Sequence, residues 1–434
     1  MTKLIFHHDH TNLPVASESV LPIQMYGLNG LSRGDISIIG NPVVERIKRL
    51  GIRISPQVMD FLSIALAVTA ADTFVRRKDA ADGWSRQISI ELSLHEPERW
   101  LVLSEKLKTA FQFLSGDMWE FEFSGDGFPP PEPYQYRDRF HLIKLDGLDC
   151  VSLFSGGLDS AIGAIDCLEE GRKPLLVSHA YKGDKKHQEE IAQHFTGRYS
   201  RFAVNAYPRS ANGETDITMR TRSCSFLALG AVAACAIRTL NHSEKIELFV
   251  PENGFISLNA PLTSRRIGSL STRTTHPYFL GTLQEIFDAA EIPCTIKNPY
   301  QFKTKGEMVT ECKNKELLNR IIDNTVSCSH WKRANKQCGY CVPCIIRRAA
   351  LHAGGIKEKN GYLFDDITGI LSEPEKRDDL MALCIAIEHK NKRKIGPWIS
   401  DGGPLPSRYY KDYQMIFLRG LDEVSNFSKS VGIL

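Results

Sequence analysis

Val151-Ser152-Leu153-Phe154-Ser155-Gly156-Gly157-Leu158-Asp159-Ser160-Ala161-Ile162 decides the fold. Four apolar or small residues read as a buried strand. Ala161, Ile162, Ala164, Ile165 and Leu168 then form an apolar stripe of helical period, closed by Gly171. Between strand and helix, Gly156 and Gly157 let the backbone approach a polyanion with no Cβ in the way. The helix N-terminus behind them offers free N–H groups and a partial positive charge. Ser155 and Ser160 supply hydroxyls. Asp159 needs Mg²⁺ between itself and a phosphate, or it caps the helix. A plain strand–turn–helix connection explains the same residues without a ligand.

The pattern continues on the C-terminal side. Leu175–Ser178 and Ile246–Val250 read as further strands, with an Ala/Leu-rich helix over Ser225–Leu240 between them. Strands separated by helices predict an α/β fold with a doubly wound parallel sheet, whose ligands bind beyond the carboxyl ends of the strands. On the N-terminal side, Ser55-Pro56 opens a buried helix. Glu105–Phe113 suits another helix, and Ile88–Leu92 and Trp119–Phe123 alternate as strands. That mixture predicts a small α+β domain over 1–125 with no chemistry of its own. Pro129-Pro130-Pro131 and Pro133 predict a linker over 126–139. The ligand-binding domain follows at 140–300, a cysteine-bearing subdomain at 301–360 and a helical extension at 361–434.

Cys328, Cys338, Cys341 and Cys344 have the spacing Cys-x9-Cys-x2-Cys-x2-Cys. Four thiolates make a closed tetrahedral shell suited to structural Zn²⁺. Free thiols, a disulfide pair or an iron–sulfur cluster stay as alternatives. The other cysteines of the 11 stand singly in apolar contexts, which fits a reducing, cytoplasmic location. Lys332, Arg333, Lys336, Arg347 and Arg348 could form a basic rim for RNA around the cluster, or a solvated loop.

Composition is that of an ordinary globular protein: 434 residues, 42% hydrophobic and 24% charged. With Lys+Arg 54 against Asp+Glu 51, bulk charge argues for no nucleic-acid partner. The basic runs at Lys182–Lys186 and Lys390–Lys394 read as exposed faces. No run of about 18 apolar residues predicts a membrane span.

The Ser155–Ser160 loop lacks a Walker ending and resembles the PP-loop of ATP pyrophosphatases, which split ATP between its α and β phosphates. In that resemblance His179, within Ser178-His179-Ala180, lies where adenine or ribose is held. Thr304-Lys305-Gly306-Glu307 opens a helix there, and Lys305 neutralises pyrophosphate. The same four residues also read as a capping box. Over Val151–Leu351, the loop, the Thr304–Glu307 step and the cysteine spacing together resemble the QueC family of 7-cyano-7-deazaguanine synthases. Those enzymes adenylate 7-carboxy-7-deazaguanine and use ammonia to make an amide and then a nitrile.

Three departures stand against that pattern. A whole domain precedes the loop, and about 75 residues follow the cysteine region. Met219-Arg220-Thr221-Arg222-Ser223-Cys224 replaces a Gly-Arg-Asn-like stretch. The acidic substrate segment is rewritten as Pro251-Glu252-Asn253-Gly254-Phe255, continuing through Arg265, Arg266, Ser269 and Ser271 to Arg273-Thr274-Thr275-His276. The longer form resembles the QueC-like component of bacterial anti-phage systems of the Qat type. That resemblance implies an amide between a deazaguanine and an amine of a partner protein encoded in the same defence operon.

Arg220, Arg222, Glu252, Asn253, Arg273, Thr274 and His276 are therefore the candidate substrate residues. A carboxylate such as Glu252 can accept from a guanine-like edge, an amide such as Asn253 can pair with it, and the arginines, hydroxyls and histidine suit phosphate or carboxylate. A polar loop with surface arginines is the plain alternative. The expected cofactors are ATP, Mg²⁺ and Zn²⁺. Asp159 and Lys305 are expected to act on the nucleotide phosphates. A free nitrile synthase, a tRNA-modifying enzyme and a nucleotide-binding regulatory subunit remain as other functional classes.

Overall fold

The computed structural model describes residues 2–27, 34–135, 141–179, 183–216, 220–263, 273–331 and 335–434. Among the described residues, ten strands form two five-stranded sheets, and every pairing within them is parallel. The first holds β1 (Thr2–His7), β2 (Val20–Met25), β3 (Ser37–Ile39), β4 (Gln87–Ser93) and β5 (Met118–Ser124), in the order β3-β2-β1-β4-β5. The second holds β6 (Cys150–Leu153), β7 (Pro174–His179), β8 (Ser200–Val204), β9 (Ile246–Phe249) and β10 (Cys294–Lys297), in the order β10-β9-β6-β7-β8.

This corrects the expected α+β N-terminal domain: the first half is parallel α/β. Only β4 and β5 were legible as strands. β5 alternates exposed and buried residues because it is an edge strand, a pattern that resembles an antiparallel sheet with one wet face.

Read from its other edge, the second sheet runs β8-β7-β6-β9-β10, so both halves share one strand order. Like elements meet across the junction. Helix Pro56–Phe74, between β3 and β4, packs on helix Arg222–Asn241, between β8 and β9. Helix Ser104–Ser115, between β4 and β5, packs on Pro277–Ala289, between β9 and β10. Ile38 of β3 forms an antiparallel bridge with Arg209, just past β8. This is the arrangement of an isologous dimer within one chain. Pro56–Phe74 and Arg222–Asn241 are long and apolar enough to cross a membrane, but 94% and 72% of their apolar windows are buried inside the protein. One apolar core runs through both halves.

The proline-rich segment is a packed strap. Phe128 lies against Tyr26 (4.8 Å) and the edge of His8 (5.6 Å), covering the ends of β1 and β2. A Cβ on Gly127 would sit 2.2 Å from the Leu94 carbonyl carbon. Residues 136–139 of the expected linker lie outside the described residues. The C-terminal extension is equally integrated. Helix Tyr410–Ser430 packs Ile416 and Phe417 with Phe255 and Trp398 in a second core.

Candidate active site

The loop after β6 takes its shape from Gly156, whose φ of +86° disfavours any side chain. Gly157 then caps helix Leu158–Glu169 without a side-chain bond. The Gly157 amide donates to Ser155 Oγ at 3.2 Å, and Ser160 Oγ donates to the Gly157 carbonyl at 3.0 Å. Two neighbours fix the loop from outside. Gln188 Nε2 donates to the carbonyls of Ser155 (3.1 Å) and His179 (3.3 Å). The Val326 amide donates to the Gly156 carbonyl at 3.0 Å. Leu158 points into the core, so only its backbone is available to a ligand. Helix and sheet meet closely because Gly163 lacks a Cβ that would lie 2.4 Å from Pro251.

A cavity of about 270 Å³ opens beyond the carboxyl ends of β6, β7 and β9, where doubly wound sheets bind ligands. Ser155 and Ser160 line one side. His179 lines another, its ring edge-on to Phe226 at 5.0 Å and its Nδ1 3.7 Å from Asp184. Arg222, Glu252 and Thr274 line the third. Residues from five separate stretches of sequence thus face one space of small-ligand size.

Behind the cavity wall lies a buried charge cluster. Lys305 Nζ is 2.6 Å from Asp159 Oδ1. Asp159 Oδ2 accepts from the Asn253 amide nitrogen (3.1 Å) and from Asn253 Nδ2 (2.7 Å). Asn253 Nδ2 also donates to Glu252 Oε1 at 3.0 Å, and Asn253 Oδ1 accepts from the Ile256 amide at 2.9 Å. Every polar atom of the Asn253 side chain is used inside the protein, so it serves as a brace where a purine contact was expected. Burial works against the Asp159 carboxylate, but Lys305, Glu252 and Asn253 outweigh it and bring it to about 2. Burial and the neighbouring Asp159 charge push Glu252 well above the usual carboxylate range. One carboxyl stays ionised and the other holds a proton. Asp159 neither caps the helix nor offers a ready Mg²⁺ site, because Lys305 neutralises it and Asn253 fills its second oxygen.

Three other candidates sit at the junction with the first half. Arg220 lies over the Trp84 ring at 4.5 Å, and burial with the nearby Arg77 lowers its pKa to about 10. Arg273 lies over Phe113 at 4.8 Å and donates to the Phe113 carbonyl at 3.1 Å. His276 is buried and caps helix Pro277–Ala289, its Nδ1 accepting from the Tyr278 amide at 3.1 Å. Burial lowers its pKa to about 3, so it is neutral and cannot supply the expected cation. Ala180, Lys182, Met219, Arg265, Arg266, Ser269, Ser271, Lys332 and Arg333 lie outside the described residues.

Thr304 and Glu307 complete the capping box at the start of helix Lys305–Glu311. Two further residues were not picked out from sequence. Asp72 accepts from the Thr221 amide (2.8 Å) and Oγ1 (3.1 Å), and so fixes the start of the helix that carries Arg222 and Phe226. An acid inside a mostly apolar helix, which also holds Asp60, was its only signal. Glu423 accepts from Thr304 Oγ1 (2.6 Å) and the Gly306 amide (3.0 Å). Nothing near it in sequence marks that contact.

The four cysteines converge, with all their Sγ atoms within 4.8 Å of one another and all four residues buried. Cys338 and Cys344 are 3.8 Å apart, and Cys341 and Cys328 are 4.0 Å apart. A tetrahedral Zn²⁺ with Zn–S of about 2.3 Å needs sulfurs about 3.8 Å apart, so the set fits one ion. A four-iron cluster, with each thiolate on a different iron, needs a wider cage. Amides of His330, Cys338 and Cys341 donate to cysteine sulfurs at 3.3 Å, which favours the thiolate form. Two of the candidate rim residues make their contacts within the protein. Arg347 is buried and bonds Glu358, Thr325 and the Ile322 carbonyl. Arg348 stacks on Tyr362 and donates to the Asp365 carbonyl. Lys185 and Lys186 pair with Glu189 and Glu190 on one exposed helix face, as charge patterning suggested.

No curated protein and no solved structure matches this chain. The family model described as queuosine biosynthesis protein QueC matches residues 275–355. The matched segment contains both Thr304–Glu307 and the four cysteines, and it starts after the glycine loop. It is similar to an ATP-using PP-loop enzyme, and its four-cysteine cluster is built to hold a metal.

Proposed function

We propose that this chain is an ATP-dependent enzyme that adenylates a carboxylate and transfers the acyl group to an amine. The observation that carries this reading is the cavity bounded by the Ser155–Ser160 loop on one side and by Arg222, Glu252 and Thr274 on the other. A nucleotide laid along the first side places its phosphates at the helix N-terminus, with its base toward His179 and Phe226. An acid on the other side then sits beside the α phosphate. The QueC-like segment supports 7-carboxy-7-deazaguanine as that acid.

The substrate carboxylate oxygen attacks the α phosphorus, the bond to the β-phosphate oxygen breaks, and pyrophosphate leaves. Loop N–H groups and Lys305 oppose the charge gathering on pyrophosphate. Mg²⁺ arriving on the nucleotide adds to that neutralisation. The amine then attacks the acyl carbon, the bond to AMP breaks, and the amine gives up one proton. Holding both reactants in one cavity replaces two encounters with one. The zinc site has no open position and serves structure.

We assign the amine to a partner protein, in keeping with the Qat-type resemblance and a place in anti-phage defence. The added first half and C-terminal extension flank the adenylation site, where a large acceptor has to dock. The test incubates the enzyme with ATP, 7-carboxy-7-deazaguanine and proteins encoded beside it, then weighs each intact protein. A mass increase on one partner that depends on ATP supports the assignment. Efficient nitrile formation from ammonia with no mass change on any partner makes it a free synthase, and modification of tRNA makes it a tRNA enzyme.

A further inference from the structure

Lys305 is buried and paired with Asp159 of the phosphate loop, and the residues on either side of it are bonded from the far C-terminus. Glu423, on helix Tyr410–Ser430, accepts from Thr304 Oγ1 and from the Gly306 amide, the residues on either side of Lys305. One turn earlier, Arg419 donates to Glu307 at 2.7 Å and to the Phe302 carbonyl at 2.7 Å. A Cβ on Gly306 would lie 2.2 Å from Glu423 Oε2, so the glycine is what lets the carboxylate in. The same helix is seated by Gly420, whose Cβ would fall 2.3 Å from the Phe255 ring.

We propose that Glu423 is a positioning residue for Lys305, so that the phosphate end of the site is completed by the C-terminal helix. The inference rests on the reading that Lys305 meets pyrophosphate. Bonds from the Thr304 hydroxyl on one flank and the Gly306 amide on the other hold the turn that carries Lys305, whose Nζ reaches Asp159 at 2.6 Å. Without them, helix Lys305–Glu311 keeps its capping box and its packing through Met308 and Val309, but the turn that carries Lys305 loses its anchor to the C-terminal helix.

The probe is inorganic pyrophosphate with MgCl₂, titrated calorimetrically into the full chain. Lys305→Gln is expected to weaken binding about tenfold or more, the loss of one charge-assisted contact. Glu423→Ala is expected to weaken it by a similar factor, and Glu423→Gln, which keeps one acceptor, by less. In the Lys305→Gln background, Glu423→Ala should add nothing, since its effect runs through Lys305. Asp422→Asn, next to it on the exposed face, should change nothing. Urea midpoints identify any variant that has merely lost stability, and Glu423→Gln then carries the test. No loss with Lys305→Gln overturns the Lys305 reading and the proposal with it. A loss with Lys305→Gln but none with either Glu423 variant, or fully additive losses, overturns the positioning role alone.

Discussion

The amide of Val326 donates to the carbonyl of Gly156 at 3.0 Å, joining the irregular segment that leads into the four-cysteine cluster to the middle of the glycine loop. Val326 stands two residues before Cys328. The four-cysteine cluster and the glycine loop therefore share a mechanical connection.

Purified protein should carry about one zinc per chain. Cys341→Ser should lose that zinc, measured by elemental analysis. The bond to Gly156 is worth about 1 kcal/mol, so ATP affinity should fall roughly fivefold in any fraction that stays folded. Metal-free protein that binds ATP with unchanged affinity would separate the two sites.

The Asp159–Lys305 pair makes a second prediction. Each partner is about 5–7% exposed, and breaking a buried pair from one side costs about 3–5 kcal/mol. Asp159→Asn and Lys305→Met should each lower the urea midpoint, and the double variant should recover much of it. Pyrophosphate release should stay abolished in all three. Recovery of turnover in the double variant would make the pair structural only.

A third prediction concerns the first half. Asp72 joins Arg77, Arg86 and Asp117 in a buried network, with Arg86 Nη2 at 2.5 Å from Asp72 and 2.6 Å from Asp117. Asp72→Ala leaves Arg86 short of a counter-ion and Thr221 uncapped. Stability should fall by about 3–5 kcal/mol, read from chemical unfolding. Asp72→Asn keeps part of the cap and should cost less. If neither variant loosens the start of helix Arg222–Asn241 in hydrogen exchange, the first half does not position Arg222.

A fourth follows from Glu423. Burial, with Glu307 nearby, raises its pKa from 4.5 to about 7 against the bonds from Thr304 and Gly306 and the charge of Lys305. Between those values the folded chain holds a proton that the unfolded chain has released. Stability from this group is present at pH 5 and is lost as pH rises through 7, by up to about 3 kcal/mol. Unfolding at pH 5, 6, 7 and 8 should show that slope in the wild type and not in Glu423→Gln. Parallel profiles would assign the slope to another group.

The loop and the cysteines were legible because each needs particular residue types at fixed local spacing. Gly156 must reach a positive φ, and four thiols must surround one ion. The parallel first half was not legible. β1 to β3 are short strands joined by irregular segments, and strand direction is a property of pairing between distant residues. Arg273 and His276 misled for a related reason. Their sequence context is polar, but Phe113, far away in sequence, packs on both and turns them into junction residues. Asp72 and Glu423 reach the site through contacts 149 and 117–119 positions away in sequence, beyond any local pattern.

The most direct test of adenylation is the fate of ATP labelled at the α phosphate, incubated with the enzyme, MgCl₂, 7-carboxy-7-deazaguanine and an amine acceptor. The label should appear in AMP, with one pyrophosphate released per AMP, and only when the acid is present. Appearance of labelled ADP with inorganic phosphate, or no turnover with this acid and an amine acceptor both supplied, would contradict the account.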